Sequence, residues 1–86
     1  MITSNTVAYC AGTEHKKVLE TIAEYSKALE TFGKLSEMNG IYNLSEEQAI
    51  LVYLRIKHPQ TDLRELMRQI PTLTKAFKIE LAKVKL

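Results

Sequence analysis

The sequence predicts a small, mainly α-helical domain of the α+β class, helix-turn-helix-like, with about five helices and one short β-hairpin. Apolar residues recur at spacings of three and four over most of the chain, as on the buried face of a helix. Asn39-Gly40 stands between two short apolar segments, which is typical of a hairpin turn. The 86 residues are 45% apolar and 26% charged, and this length and composition suit a single domain, residues 1–86, with one small core.

Residues 4–33 are expected to form a helix-turn-helix-like pair, beginning with a short helix. Ser4 or Asn5 can cap a helix over Thr6–Ala11, because short polar side chains accept hydrogen bonds from the free amides of a first turn. Gly12 then suits the left-handed conformation that often ends a helix.

The second helix of the pair is predicted over Glu14–Thr31, with Thr13 as its cap and Gly33 at its end. A short helix, a tight corner and a longer helix fit a DNA-binding helix-turn-helix. They fit equally well a helical hairpin that has no role in DNA binding, and the sequence pattern leaves both interpretations open.

Residues 35–44 are predicted to form the hairpin, with strands Leu35–Met38 and Ile41–Leu44 joined by Asn39-Gly40. Ser45 and Gln48 follow directly and have the spacing of a capping box, in which each side chain bonds the backbone amide of the other residue. This predicts a third helix from Ser45 to about Lys57. That helix is apolar on most sides, so we expect it to be the central helix of the core.

Residues 45–86 are expected to hold two further helices after the third one. Thr61 can cap a fourth helix that runs to about Gln69, and Pro71 indicates a break before a fifth helix that begins near Thr72. The fifth helix carries one apolar stripe, which consists of Leu73, Phe77, Leu81 and Val84.

The charge and cysteine content exclude several classes of protein. The formal net charge is only +2, whereas dedicated DNA-binding domains usually have a clear basic excess. Residues 1–40 carry four lysines and five glutamates, so the basic excess belongs to the second half. The single cysteine allows no internal disulfide, and no segment has the length and apolarity of a membrane span or a secretory signal. We therefore expect a cytoplasmic protein without membrane contact.

The sequence offers no constellation of residues that suits catalysis, a cofactor or a metal ion. Cys10 has His15 as its nearest imidazole, but it lies in an apolar helix and is best explained as a small packed residue. His15 and His58 are far apart and there is no second cysteine, so the spacing of a zinc site is absent. We expect no enzymatic activity and no cofactor.

Three short motifs resemble the phage Rha-type regulatory and antirepressor proteins. The first is His15-x-x-Val18-Leu19-x-x-Ile22 in the second helix. The second runs from Tyr42-x-Leu44 into Ser45-Glu46-Glu47-Gln48-Ala49, and the third is Lys75-Ala76-Phe77. The resemblance implies a helix-turn-helix followed by a hairpin, and a role in the lysis–lysogeny decision of a temperate phage.

The resemblance, with the nearly neutral charge, predicts an antirepressor that binds a phage repressor protein and promotes the lysogenic-to-lytic switch. The alternative is a sequence-specific DNA-binding phage transcriptional regulator. Candidate residues for contact with the partner or with DNA lie at the start of the second helix, namely Thr13, His15, Lys16 and Lys17. Because Glu14 and Glu20 offset the two lysines, direct DNA binding is expected to be weak or absent.

The apolar stripe of the last helix is a candidate for self-association. Leu73, Phe77, Leu81 and Val84 either pack onto the third helix or form a contact between copies of the chain. The third and fourth helices already supply many apolar residues for so small an interior, which favours a contact between copies. We therefore expect a homodimer or homotetramer with Phe77 and Leu81 in or near the interface.

Overall fold

The computed structural model describes residues 2–83, which form five α-helices and a small antiparallel sheet. The elements in chain order are β1 (Ile2–Thr3), α1 (Ser4–Ala11), α2 (His15–Glu24), α3 (Ser26–Glu30), β2 (Ser36–Met38), β3 (Ile41–Leu44), α4 (Glu46–Lys57) and α5 (Leu63–Ala82). The predicted mainly α-helical class with a short hairpin is therefore confirmed.

The sheet has β3 at its centre, with β1 on one side and β2 on the other. In the β2–β3 hairpin Met38 pairs with Ile41, and the turn residues Asn39 and Gly40 have φ values of 55° and 78°. Positive φ at both positions confirms the predicted turn. β1 is absent from the sequence prediction, because two residues are too few to show the alternation of a strand.

The first helix begins earlier than predicted. Thr3 is its cap, and the Thr3 hydroxyl accepts a hydrogen bond from the backbone N–H of Thr6 at 3.3 Å. Ser4 and Asn5, the predicted caps, lie inside the first turn, and Ser4 is buried. Gly12 ends the helix with φ 67°, as predicted.

The second predicted helix is two helices in the structure. The helical backbone is interrupted at Tyr25, which has φ −110° and ψ 25°, and the ring of Tyr25 lies 5.2 Å from the guanidinium of Arg55 on α4. This tertiary contact is not visible in the local pattern. Glu14, not Thr13, occupies the cap position of α2, and its side chain makes no capping hydrogen bond within residues 2–83.

The predicted capping box is present at the start of α4. The Ser45 hydroxyl accepts from Gln48 N–H at 3.3 Å, and Gln48 Oε1 accepts from Ser45 N–H at 2.8 Å. Gln48 also reaches back along the chain, because its Nε2 donates to the carbonyls of Leu29 at 3.1 Å and Gly33 at 2.7 Å. Its side chain, 1% exposed, thus uses its carbonyl oxygen and both amide hydrogens.

The predicted fourth and fifth helices are one helix, so the expected break at Pro71 is wrong. Proline removes one hydrogen bond, the one to the Met67 carbonyl, but the exposed position of Pro71 leaves room for water there. Leu66, Ile70 and Phe77 lie buried on the same side before and after the proline, so packing stabilises the continuous helix. Its cap is Asp62, whose carboxylate accepts from Arg64 N–H at 2.8 Å, not Thr61.

Helix α4 is the centre of the core, as predicted. It packs against α1, α2 and α5 and contacts the strands β1 and β3. The fully buried apolar side chains come from nearly every element around it, and the largest are Phe77, Ile22, Leu29, Leu44, Ile50, Leu51 and Leu66.

Replacing Leu54, which is 2% exposed in α4, with alanine should destabilise the domain by about 2 to 5 kcal/mol, because a cavity remains in a packed interior. The measurement is the free energy of unfolding in urea. The exposed Met38 serves as a control, since Met38→Ala should change stability by less than about 0.5 kcal/mol. Equal stability of wild type and Leu54→Ala would place the core elsewhere.

Gln48→Glu should destabilise the domain by about 3 kcal/mol or more at pH 7, because a buried carboxylate replaces the two donors that serve Leu29 and Gly33. This loss of unfolding free energy should shrink as the pH falls, since protonation of the introduced carboxyl removes its charge and restores one donor. Gln60→Glu, at an exposed loop position, is the control. The same unfolding midpoint for both variants at pH 7 would contradict this role of the amide.

Candidate functional site

A cleft opens between α4 and the second half of α5, with a volume of about 330 Å³. Its walls combine apolar side chains with three polar ones. The apolar lining is Ile50, Tyr53, Leu54, Leu73, Ala76 and Phe77, and the polar groups are Lys57, His58 and Glu80. A concave, mostly apolar surface with a few polar groups is the usual form of a binding site.

The two helices line the cleft with the same residue spacing. Ile50, Tyr53, Leu54 and Lys57 occupy positions i, i+3, i+4 and i+7 of α4, so they share one face. The residues from α5 follow the same rule and are Leu73, Ala76, Phe77 and Glu80. The sequence prediction placed the apolar residues of α4 in the core, and Leu73 and Phe77 in the core or in a contact between copies, although this double run was the signal of a shared groove.

Two aromatic rings form the deep end of the cleft. Phe77 is 2% exposed, and its ring centroid lies 5.2 Å from that of Tyr53 at an interplanar angle of 60°. Tilted pairs of this kind are favourable, because the edge of one ring meets the face of the other. Tyr53 remains partly exposed, so its ring is available to a ligand.

Three titratable groups meet near this deep end. Burial, and secondly the negative charge of Glu80, raise the pKa of the Cys10 thiol above its ordinary value. The pKa of the Tyr53 phenol is also raised, by burial first and then by Glu80 and Cys10. Both groups are therefore neutral near pH 7, and the thiol is a poor nucleophile.

Arg55 holds the loop that follows α4 in place. One guanidinium nitrogen of Arg55 donates to the carbonyl of Pro59 at 2.9 Å, and another donates to the carbonyl of Thr61. These bonds fix the connection between α4 and α5. His58, the residue that ends α4, is consequently positioned at the edge of the cleft beside Lys57.

The residues predicted to contact a partner or DNA are only partly brought together. Thr13, Lys16 and Lys17 line one shallow depression, together with Glu14, Glu20 and Ile56. His15 is used elsewhere, because its Nε2 lies 2.7 Å from the Ser4 hydroxyl, which also accepts the backbone N–H of Tyr42 at 3.0 Å. His15 thus joins α2 to α1 and to β3.

The outer surface at the start of α2 carries a mixture of charges. Lys16 and Lys17 are exposed, and so are Glu14 and Glu20. The acidic side chains balance the basic ones, so phosphate groups gain little from this surface.

The apolar stripe of the last helix packs within the chain. Phe77 is fully buried against Tyr53, and Leu73 and Leu81 are partly buried against the core. Phe77 therefore offers little exposed surface, because α4 covers it, and the predicted contact between copies of the chain remains a prediction. Val84, the fourth member of the stripe, lies outside the described residues.

Two further features of the described part of the chain bear on function. Among residues 2–83, no group of three or more His, Cys, Asp or Glu side chains is arranged to hold a metal ion. No helix in that range combines the length and apolar composition that crossing a bilayer requires.

Comparison of the chain with family models, with curated proteins and with solved structures finds no match. The resemblance to Rha-type proteins therefore depends on the three motifs alone. Of their residues, His15, Val18 and Ile22 have roles in packing and in hydrogen bonding between helices.

Alkylation of Cys10 tests the geometry at the deep end of the cleft. The rate of alkylation by iodoacetamide rises with pH as the thiol loses its proton. This rise should occur at a higher pH in the folded protein than in the urea-unfolded chain, because folding raises the pKa of the thiol. Glu80→Gln should move the pH profile partway back, since burial remains. Glu24→Gln on α2 is the control and should leave the pH profile unchanged. An unchanged pH profile in Glu80→Gln would show that Glu80 does not affect the pKa of the Cys10 thiol.

Proposed function

We propose that this protein is a phage antirepressor, which binds a phage repressor protein through the α4–α5 cleft and relieves repression. The lysogenic-to-lytic switch is the process that it would promote. The cleft is the observation that supports binding of a protein, and the motif resemblance supports the choice of partner. Binding, without catalysis and without a cofactor, is the whole of the proposed activity in the bacterial cytoplasm.

The cleft suits a protein segment because exposed apolar surface continues beyond its rim. Ala76 lies on the rim, and Ile79, three residues on, is 56% exposed, so apolar surface continues outward from the cleft. Protein interfaces gain most of their affinity from a few apolar or aromatic side chains inserted into such pockets. An amphipathic helix of the partner would place its apolar side chains against Tyr53, Leu73 and Ala76, which are exposed or partly exposed.

Sequence-specific DNA binding through the start of α2 is the second candidate function. The shared depression of Thr13, Lys16 and Lys17 favours it, because these three side chains lie together at a helix start. The neighbouring glutamates oppose it, so we propose that direct DNA contact there is weak or absent. A gel shift with operator DNA at low salt tests the point, and a shift at nanomolar protein would favour this candidate.

Assembly as a homodimer or homotetramer remains a prediction, and the contact would have to use surface other than the buried Phe77. A two-fold protein would match a dimeric repressor, since two weak contacts then act together. Light scattering should give a mass at least twice 9.8 kDa. A monomer at tens of micromolar would contradict the prediction and would leave the proposed cleft unaffected.

Ala76→Arg should block the cleft, because a long charged side chain on its rim would cover the apolar floor. Ala23→Arg is the matched control, since Ala23 is also an exposed helical alanine and lies on α2. A pull-down from phage-carrying cells should recover a repressor with the wild type and with Ala23→Arg. With the purified repressor, Ala76→Arg should weaken binding by about tenfold or more, as expected for a blocked hot spot.

The same purified components test the consequence for DNA. The wild type should dissolve a repressor–operator complex in a gel shift, and Ala76→Arg should leave that complex intact. Recovery of no repressor-like protein would refute the choice of partner. Equal binding by the two arginine variants would refute the choice of surface.

A further inference from the structure

The outer face of α5 carries four basic side chains in a row. These are Arg64, Arg68, Lys75 and Lys78, here called the basic stripe, and all four are exposed. With 3.6 residues per turn, they fall within an arc of about 80° and extend over about 21 Å of helix. The two acidic residues of α5, Glu65 and Glu80, lie about 60° or more outside that arc.

The charges of the stripe are only weakly neutralised by their neighbours. Arg68 lies 3.3 Å from Glu65, and Lys78 lies 3.8 Å from Glu46 at the start of α4. The side chains of Arg68 and Lys78 are 79% and 60% exposed, so both pairs are in contact with water. Exposed ion pairs of this kind contribute little and exchange readily for other partners.

We propose that the basic stripe binds the phosphodiester backbone of a nucleic-acid duplex without reading its sequence. Backbone binding requires a line of cations and little else, because the phosphates supply the charge and released counterions supply the driving force. The stripe also lies on a different face of α5 from the cleft, since Ala76 and Glu80 are about 100° or more away from its centre. The inference therefore goes beyond the proposed function and does not depend on it.

The composition of the stripe favours a nucleic acid over a protein or a membrane. Between Arg64 and Lys78 its arc contains no aromatic or large aliphatic side chain, with Pro71 the only apolar residue. A protein interface without such an anchor would gain little affinity. The apolar face of α5 is buried in the core, as Leu66 and Phe77 illustrate, so the helix cannot insert it into a bilayer.

The test is fluorescence anisotropy of a labelled 20-base-pair DNA duplex of arbitrary sequence, titrated with the full chain at several salt concentrations. The wild type should bind at about 10⁻⁵ M near 50 mM salt, with a slope of log K against log salt of about −3.6 for four contacts. Arg68→Gln/Lys75→Gln should weaken binding at least about tenfold and bring the slope near −1.8. An RNA duplex of the same length shows which duplex is preferred.

Lys27→Gln/Lys34→Gln is the matched control, because it also removes two exposed charges, from outside the stripe and the start of α2. It should leave the affinity for the duplex within about twofold, since neither lysine belongs to the stripe. Circular dichroism verifies that both double variants are folded.

Several results would overturn the proposal. These are no binding by the wild type at 50 mM salt, equal loss in both double variants, and loss only in Lys27→Gln/Lys34→Gln. Stronger competition by polyglutamate than by unlabelled duplex would assign the stripe to an acidic protein. Ala76→Arg should bind the duplex like the wild type. The experiments can therefore contradict the proposal for the cleft and the proposal for the stripe separately.

Discussion

The buried side-chain amide of Gln48 joins three parts of the chain. Its oxygen holds the start of α4, and its nitrogen holds the carbonyls of Leu29 and Gly33 at the end of the α2–α3 region. Each of these backbone groups would be costly to leave unpaired in the interior. The amide therefore fixes where α4 begins relative to α3, and α4 in turn supports α1, α2 and α5. The position of the cleft follows from the same constraint, since α4 provides one of its walls.

The sequence predicted the features that depend on neighbouring residues. The capping box of Ser45 and Gln48 and the Asn39-Gly40 turn are local, and both are present. Features that depend on distant residues were missed or wrong. Gln48 also donates to the carbonyl of Leu29, 19 residues earlier in the chain. The break in the helix at Tyr25 accompanies a contact with Arg55. The helix persists through Pro71 because packing outweighs one lost hydrogen bond.

The candidate site could be predicted only in part, for the same physical reason. Thr13, Lys16 and Lys17 share a helix start, and a local pattern can place them together. The hydroxyl that holds His15 belongs to Ser4, eleven residues earlier, and the local pattern assigned Ser4 to a helix cap. The cleft forms only where α4 and α5 lie side by side. The apolar run of either helix, taken alone, is equally consistent with a residue set buried in the core. Its rim at Ala76, beside the exposed Ile79, becomes recognisable only once the packing of Phe77 is known.

The two proposed surfaces have properties that suit a protein acting on a DNA-bound repressor. A duplex held loosely on the basic stripe would leave the cleft free, because the two surfaces lie on different faces of α5. Loose, sequence-independent attachment would raise the local concentration of the cleft near a repressor on its operator. A basic, sequence-reading α2 would have the opposite effect, since it would compete for operator bases and retain the protein on DNA. The balance of lysines and glutamates on α2 is therefore what such a mechanism requires.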